Sequence, residues 1–391
     1  MKVAIVHDAL VNRGGAERVL GSIHEMFPQA PIYTTVHLKE RTHDFLSRAR
    51  IKTTILQRFA KTETQLKLLF PFAFELMRHL DLSGFDVVLS SSTYCAKNVE
   101  VSSTTSHICY CYAPFRPVWE YDQYTANLGW SPAARLVMRA AFGIFRRIDF
   151  NAGQKPKHLI AISKYASKKL ERAYGRRCSA IIYPPVDVGA YRYDSASENY
   201  FLVVSRLAAY KRIDIVVKAF NALKIHLKII GSGPELPRLR SIARPNVEFL
   251  GSVPEADLRD YYARCRALVL PGAEDFGLTP LEAQASGKPV IALAKGGALE
   301  TIVGADSENG NSHTSSATGV FFDNQTPEEV ISAVHRFEQL SFDPDRIRRQ
   351  ALLFDVSLFQ QRMLSLITQV HCRTFVPETW MSPQLGTTLC T

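Results

Sequence analysis

Short apolar runs recur along the chain, and each is followed by a turn or a stretch of helical spacing. Residues 2–7, KVAIVH, predict a buried first strand. The turn Asn12-Arg13-Gly14-Gly15 follows it. AERVLGSIHEMF then sets Val19, Leu20, Ile23, Met26 and Phe27 along one helical side. PIYTTV, FDVVLSSS, HICYCYAP and HLIAIS continue the series, separated by helical stretches. Such alternation predicts an α/β layer around a largely parallel sheet.

From Ile182 the texture changes. IIYPPVD carries a Pro-Pro and YRYDSASENY is polar and turn-rich, which marks an interdomain linker. A second series then opens with YFLVVSR, LKIIGSG, VEFLG, ALVLPG and PVIAL, predicting a second doubly wound α/β domain. Residues 352–372 have helical apolar spacing, and the tail beyond Arg373 reads as loose. The segment from Thr53 to Leu82 mixes Arg58, Lys61, Lys67 and Arg78 with many Leu and Phe residues. It fits an amphipathic element lying on a membrane surface, and equally a helical insertion packed on the sheet.

Composition narrows the class. A chain of 391 residues suits two domains, and 46% hydrophobic with 21% charged residues is ordinary for a globular protein. No apolar run reaches the roughly 18–20 residues of a bilayer-spanning helix. Asp8 interrupts the N-terminal apolar run, so that run reads as a strand rather than a signal peptide. The seven cysteines include no C-x-x-C, and an odd count without a secretion signal favours reduced thiols in a cytoplasmic protein. The net charge of +10 is uneven. Residues 1–190 hold 26 basic and 15 acidic side chains, against 21 and 22 in residues 191–391. A basic first half suits an anionic membrane face or a pyrophosphate-linked substrate. Nucleic acid is not expected as a partner, because no aromatic-basic recognition module appears.

Candidate chemistry gathers in the second half, in PGAEDFGLTPLEAQASGKP. Thr279 suits a helix N-cap, Pro280 the first helical position, and Glu282 the third, where it would complete a capping box. The amides of Gly277 and Leu278 lie at that helix entrance, which favours a phosphate or sugar oxygen. Glu274 follows the run ALVLPG at the C-terminal end of a predicted strand, where ligands of open α/β sheets bind. In VVSRLAAYKRID, Arg206 follows a strand and Lys211 precedes a helix. Two cations there call for an anion and suit a diphosphate clamp, with Arg212 a neighbour rather than a ligand. Gly231-Ser232-Gly233 is a further turn open to close approach by a nucleotide. No G-x-G-x-x-G or G-x-x-x-x-G-K-[ST] loop occurs, so nicotinamide binding and P-loop chemistry are not supported. No His pair has ligand spacing, and Asp8, Asp81 and Asp86 are scattered. Metal-independent chemistry without a cofactor is therefore expected.

The ordered set resembles the family 4 retaining glycosyltransferases of GT-B fold, especially bacterial polysaccharide and O-antigen mannosyltransferase-like members. The resemblance rests on Glu-x7-Glu from Glu274 to Glu282, on Arg206 and Lys211, and on GGAER, ISKYASKKLERAYG, YPPVD and GGALETI. It implies two Rossmann-like doubly wound domains facing across a cleft. Residues 1–186 would form the acceptor-side domain and 187–351 the nucleotide-sugar domain. Residues 352–373 would form a helix crossing back to the first domain, and 374–391 a loose tail. Arg206 and Lys211 would hold the donor diphosphate, Glu282 the ribose and Glu274 the sugar hydroxyls. The amides of Phe276, Gly277, Leu278 and Thr279 would cradle sugar and phosphate, with Gly15 closing from the first domain.

The implied activity is retaining, metal-independent transfer of a hexose, with mannose from GDP-mannose as leading donor, to a lipid-linked or polysaccharide acceptor. The enzyme would be cytoplasmic, with peripheral contact at the inner membrane face through its basic half. The alternatives are a synthase using a UDP- or ADP-sugar and a catalytically silent GT-B binding or assembly subunit. One departure stands out. Tyr112 occupies a position where such members commonly carry His, and an ordinary phenol is a poor base at neutral pH. Arg116 and Trp119 are candidates for the acceptor side, whereas His107 reads as a hydrogen-bonded strand histidine.

Overall fold

The computed structural model describes residues 1–122, 131–193, 197–305 and 316–380. The final residues of the predicted loose tail, 381–391, lie outside that set. The chain divides into two compact units. The first holds Met1–Pro184 and Ser357–Thr391, and the second holds Pro185–Val356.

The first unit is built on seven parallel strands: β1 (Val3–His7), β2 (Ile32–Thr34), β3 (Ile51–Thr53), β4 (Val87–Ser92), β5 (Ser106–Cys111), β6 (His158–Ala161) and β7 (Ala180–Ile181). Their order is β3-β2-β1-β4-β5-β6-β7. β1 and β4 are buried throughout, which explains why they read as continuous rather than alternating runs. The helix Glu63–Arg78 buries Leu66, Ala73, Phe74 and Met77 in the core, so the segment after Thr53 packs on its own unit. Leu68 and Phe72 of the same helix remain exposed.

The second unit has six parallel strands: β8 (Phe201–Val204), β9 (Leu227–Ile230), β10 (Val247–Gly251), β11 (Leu268–Leu270), β12 (Val290–Leu293) and β13 (Gly319–Phe322). The order β10-β9-β8-β11-β12-β13 is that of a dinucleotide-binding sheet, counted from β8 as its first strand. Chain direction around the sheet reverses between β8 and β11. A crevice outside the C-terminal ends of those two strands is where such sheets bind ligands. The loops leaving them carry Arg206, Lys211 and Glu274.

The apolar stretch 352–372 is not one helix. Pro344–Leu352 ends, three residues intervene, and Val356–His371 begins. The break has a tertiary cause: Val186 N donates to Phe354 O at 2.9 Å and Val356 N donates to Val186 O at 3.1 Å. The Pro-Pro linker thereby binds the point where the chain returns to the first unit. Among the described residues, no helix is long and apolar enough to cross a membrane.

Candidate functional site

On the second unit, Arg206 sits exposed just beyond β8. The chain then turns through Ala209–Lys211, and Arg212 adopts a left-handed conformation with φ 54° before the helix Ile213–Leu223. Arg212 is anchored locally, to Asp214 at 3.2 Å and to the carbonyl of Gln325 at 3.4 Å. Lys211 donates to the Oε1 of Glu274, and their side chains are only 14% and 17% exposed. The anion that the cations call for is thus supplied in part by the protein itself. The Lys211 ammonium also lies 5.2 Å from the Tyr210 ring centroid.

The Glu274 loop is held from its far side. Gly297 N donates to Glu274 O at 2.9 Å, and Glu274 pairs with Gly296 as an isolated parallel bridge. Gly296 has φ 77°, and a Cβ there would come within 2.4 Å of Glu274 O. The GGALETI segment therefore serves to let two backbones touch. Phe276 is buried, its ring 5.8 Å from that of Phe354.

Two readings of this loop change. The helix starts at Leu278 and its N-cap is Gly277, with φ 89° and no side-chain cap bond. Thr279 and Pro280 are therefore inside the helix, and Glu282 lies too far along it to complete a capping box. Glu282 is 1% exposed, and its Oε2 accepts a 2.6 Å hydrogen bond from the Tyr262 hydroxyl. The structure thus joins Lys211 to Glu274, with Arg206 on the same loop, and sets Glu282 inward.

Gly231 also packs closely against the neighbouring loop. Its φ is 134°, and a Cβ would sit 1.9 Å from Ser205 O. Leu207 N donates to Ser232 O at 2.9 Å, and Glu235 N to Leu207 O at 3.0 Å. The turn after β9 is thus packed against the Arg206 loop and shapes it.

One acidic triplet with metal-type spacing is easily passed over in the sequence, Asp343-Pro344-Asp345. Asp343 caps its own helix through Asp345 N, and Asp345 accepts from the Tyr193 hydroxyl at 2.7 Å.

Gly15, Tyr112 and Arg116 belong to the first unit. Gly15 opens the helix Gly15–Met26, whose N-cap amide, Gly14 N, donates to Glu17 Oε2 at 3.1 Å. Glu17 is buried, and burial raises its carboxyl to about 7 against the pull of the Gly14 amide. The Tyr112 hydroxyl meets Ser91 Oγ at 2.8 Å and donates to Ala16 O at 3.1 Å, placing it beside the Gly15 turn. Burial pushes its phenol up, so it stays protonated. Ser91 Oγ also meets His7 Nδ1 at 3.0 Å, and burial lowers the His7 imidazole.

His7, Glu17 and Tyr112 line a cavity of about 540 Å³, along with Asp8. Arg116 is not among its lining residues; it lies 3.9 Å from Glu120. Trp119 donates to buried Asp149 at 2.7 Å and is stacked on Arg146. His107 is a buried strand residue bonded to Ser90 at 2.9 Å. Asp8 holds the loop after β4. Its carboxylate accepts from Ser92 Oγ and from the amides of Thr93, Tyr94, Cys95 and Ala96. Its place directly after β1 was the only sequence signal for that role. His7, Glu17 and Ser91 gave none.

Comparison with known proteins adds the family. Residues 194–352 match the model for glycosyl transferases group 1. The match lies within the second unit. Among relatives, a GDP-mannose-dependent alpha-(1-6)-phosphatidylinositol monomannoside mannosyltransferase of Mycobacterium tuberculosis is 29% identical over 253 residues, covering 56% of this chain and 59% of that protein. The O-antigen chain mannosyltransferase C of Escherichia coli is 27% identical over 159 residues, covering 38% and 43%. The chain spans about half the length of the curated relatives it matches. Among solved structures, sucrose-phosphate synthase of Thermosynechococcus elongatus aligns with a TM-score of 0.72 at 16% identity over 95% of this chain and 100% of that one. Anabaena HepE, solved in complex with UDP, aligns at 0.67 and 18% over 94% and 100%. The fold is accordingly GT-B.

Proposed function

We propose that the protein is a retaining, metal-independent glycosyltransferase that moves mannose from GDP-mannose to a lipid-linked or polysaccharide acceptor. The observation that carries the reading is the placement of Arg206, Lys211 and Glu274 on the loops after β8 and β11. Those loops flank the reversal point of a group 1 glycosyltransferase sheet. The M. tuberculosis and E. coli relatives, both named as mannosyltransferases, support the choice of sugar.

In this reading the donor diphosphate lies against Arg206 and Lys211. Lys211 turns part of its charge from Glu274 to phosphate, and Glu274 then accepts from sugar hydroxyls. The first amides of the helix Leu278–Ala285 face the sugar-phosphate end. Departure of the diphosphate leaves an oxocarbenium-like sugar, and cationic side chains stabilise the charge on the leaving oxygen. The acceptor hydroxyl attacks the same face and its proton passes to the departing phosphate oxygen. No protein nucleophile is required. We assign Glu282 to holding its helix through Tyr262 rather than to the ribose. Peripheral membrane contact draws support from the basic first half and from exposed Leu68, Phe72, Leu136 and Val137.

A catalytically silent protein is the second reading. It is favoured by Tyr112, whose hydroxyl donates to Ala16 O and is therefore not free to donate to the transferred sugar. A thermal-shift panel of GDP-, UDP- and ADP-sugars, followed by donor-hydrolysis assays, separates the readings. A nucleotide at 100 times its Kd adds about 2.7 kcal/mol of stability. Stabilisation by GDP-mannose with slow hydrolysis is the expected result. Stabilisation without any turnover supports the silent protein, and no response to any nucleotide sugar overturns both.

A further inference from the structure

The cavity on the first unit has two chemically distinct sides. His7, Ser91, Tyr112 and Ala16 O form one hydrogen-bonded chain, and Glu17 lies next to it on the helix Gly15–Met26. The apolar part of the lining includes Leu66 and Phe70 from the helix Glu63–Arg78, and Met138 and Phe142 from the helix Pro132–Gln154. Phe70 packs against Phe115 and Phe145, with centroids 5.8 and 4.8 Å apart, which fixes the apolar wall. A volume of about 540 Å³ falls within the ~300–1,000 Å³ range of small-molecule sites.

We propose that this cavity binds an uncharged amphiphile, its aliphatic chain between Phe70 and Met138 and its hydroxylated end at His7, Glu17 and Tyr112. The occupant's charge follows from the lining. Among the described residues that line the cavity there is no lysine or arginine, so a phosphate finds no counter-charge there. Asp8 is already committed to five hydrogen bonds. Hydroxyl groups suit the remaining polar groups, which offer both donors and acceptors. The aliphatic part follows from the walls and from the outer surfaces of the same helices. Leu68 is 75% exposed and Leu136 72% exposed, an apolar surface that a fully water-soluble ligand does not need. As an acceptor site the cavity rests on the transfer reading above; as a binding site it stands without it.

Isothermal titration of the full chain with octyl β-D-glucopyranoside, below its micelle concentration, tests this. Glucose and sodium octyl sulfate serve as the two controls. Saturable binding of octyl glucoside is expected, at least tenfold tighter than either control. Met138→Trp fills the apolar side and should weaken octyl glucoside at least tenfold. Leu66→Trp serves if that variant does not fold. The nucleotide-sugar thermal shift, which reports on the second unit, should stay unchanged in both. Equal binding of glucose or octyl sulfate, or octyl glucoside affinity that survives the filled cavity, overturns the proposal. Octyl glucoside binding without any nucleotide response keeps the cavity and removes the transfer reading. The converse removes the cavity alone.

Discussion

Lys211 and Glu274 close an ion pair between loops whose positions in the chain are 63 residues apart. Both are largely buried, so removing one partner strands the other charge. Lys211→Ala and Glu274→Ala should each cost about 1–3 kcal/mol in urea unfolding, by the penalty of an unsatisfied buried group. The double variant should cost clearly less than the two added together, and strict additivity would show that the pair does not couple.

Arg206 is exposed and serves no visible structural purpose. Arg206→Ala should therefore leave the melting temperature within a degree or two. It should weaken GDP-mannose binding by about 10–100-fold, from the ~1.5–3 kcal/mol typical of hydrogen bonds to charged groups. Unaltered affinity in a titration would remove Arg206 from the donor site.

Gly231→Ala addresses a different kind of constraint. Both the positive φ and the 1.9 Å approach to Ser205 O forbid a side chain there. A loss of several kcal/mol is expected, beyond the ~1 kcal/mol ordinary range for glycine substitution. Because this turn shapes the Arg206 loop, nucleotide affinity should fall with it. A variant that melts like the parent would show that the loops separate easily.

Glu17 gives a pH signature. Its folded carboxyl titrates at about 7, against 4.5 in the unfolded chain, because burial disfavours the charged form. Asp8 adds to the shift, while Arg18 and the Gly14 amide oppose it. Between those values the folded state binds more protons than the unfolded one, so stability falls as pH rises. The contribution is fully present below pH 4.5 and is lost as pH rises to 7 and above. Its size is on the order of 3 kcal/mol. Glu17→Gln cannot titrate. Urea unfolding of both proteins from pH 4.5 to 8 should show the parent losing stability relative to Glu17→Gln. Parallel curves would place the Glu17 carboxyl in the ordinary range.

Much of the fold was legible because β1, β4, β8 and β11 are central strands buried on both faces. Such strands must read as unbroken apolar runs. The helix Pro132–Gln154 announced itself less clearly, since its outer face mixes Leu136, Val137 and Ile144 with Arg135, Arg139, Arg146 and Arg147. Local capping rules put the helix start at Thr279, but contacts from Gly296 and Gly297 decide it at Gly277. Arg206, Lys211 and Glu274 could be found because strand ends are predictable. The pairing of Lys211 with Glu274 could not, nor could the Tyr262 bond to Glu282. Each depends on side chains brought together only by strand order. The polar cluster of His7, Ser91 and Tyr112 was hidden for the same reason.

The pairing of Val186 with Phe354 and Val356 makes entry to and exit from the second unit immediate neighbours. A segment whose two ends meet in this way is a cassette. Exchanging it for the corresponding piece of a relative with another donor preference leaves the host chain's path across the gap unchanged. On the transfer reading proposed above, donor choice then diversifies by module replacement, while an acceptor site in the interrupted unit around it is inherited intact.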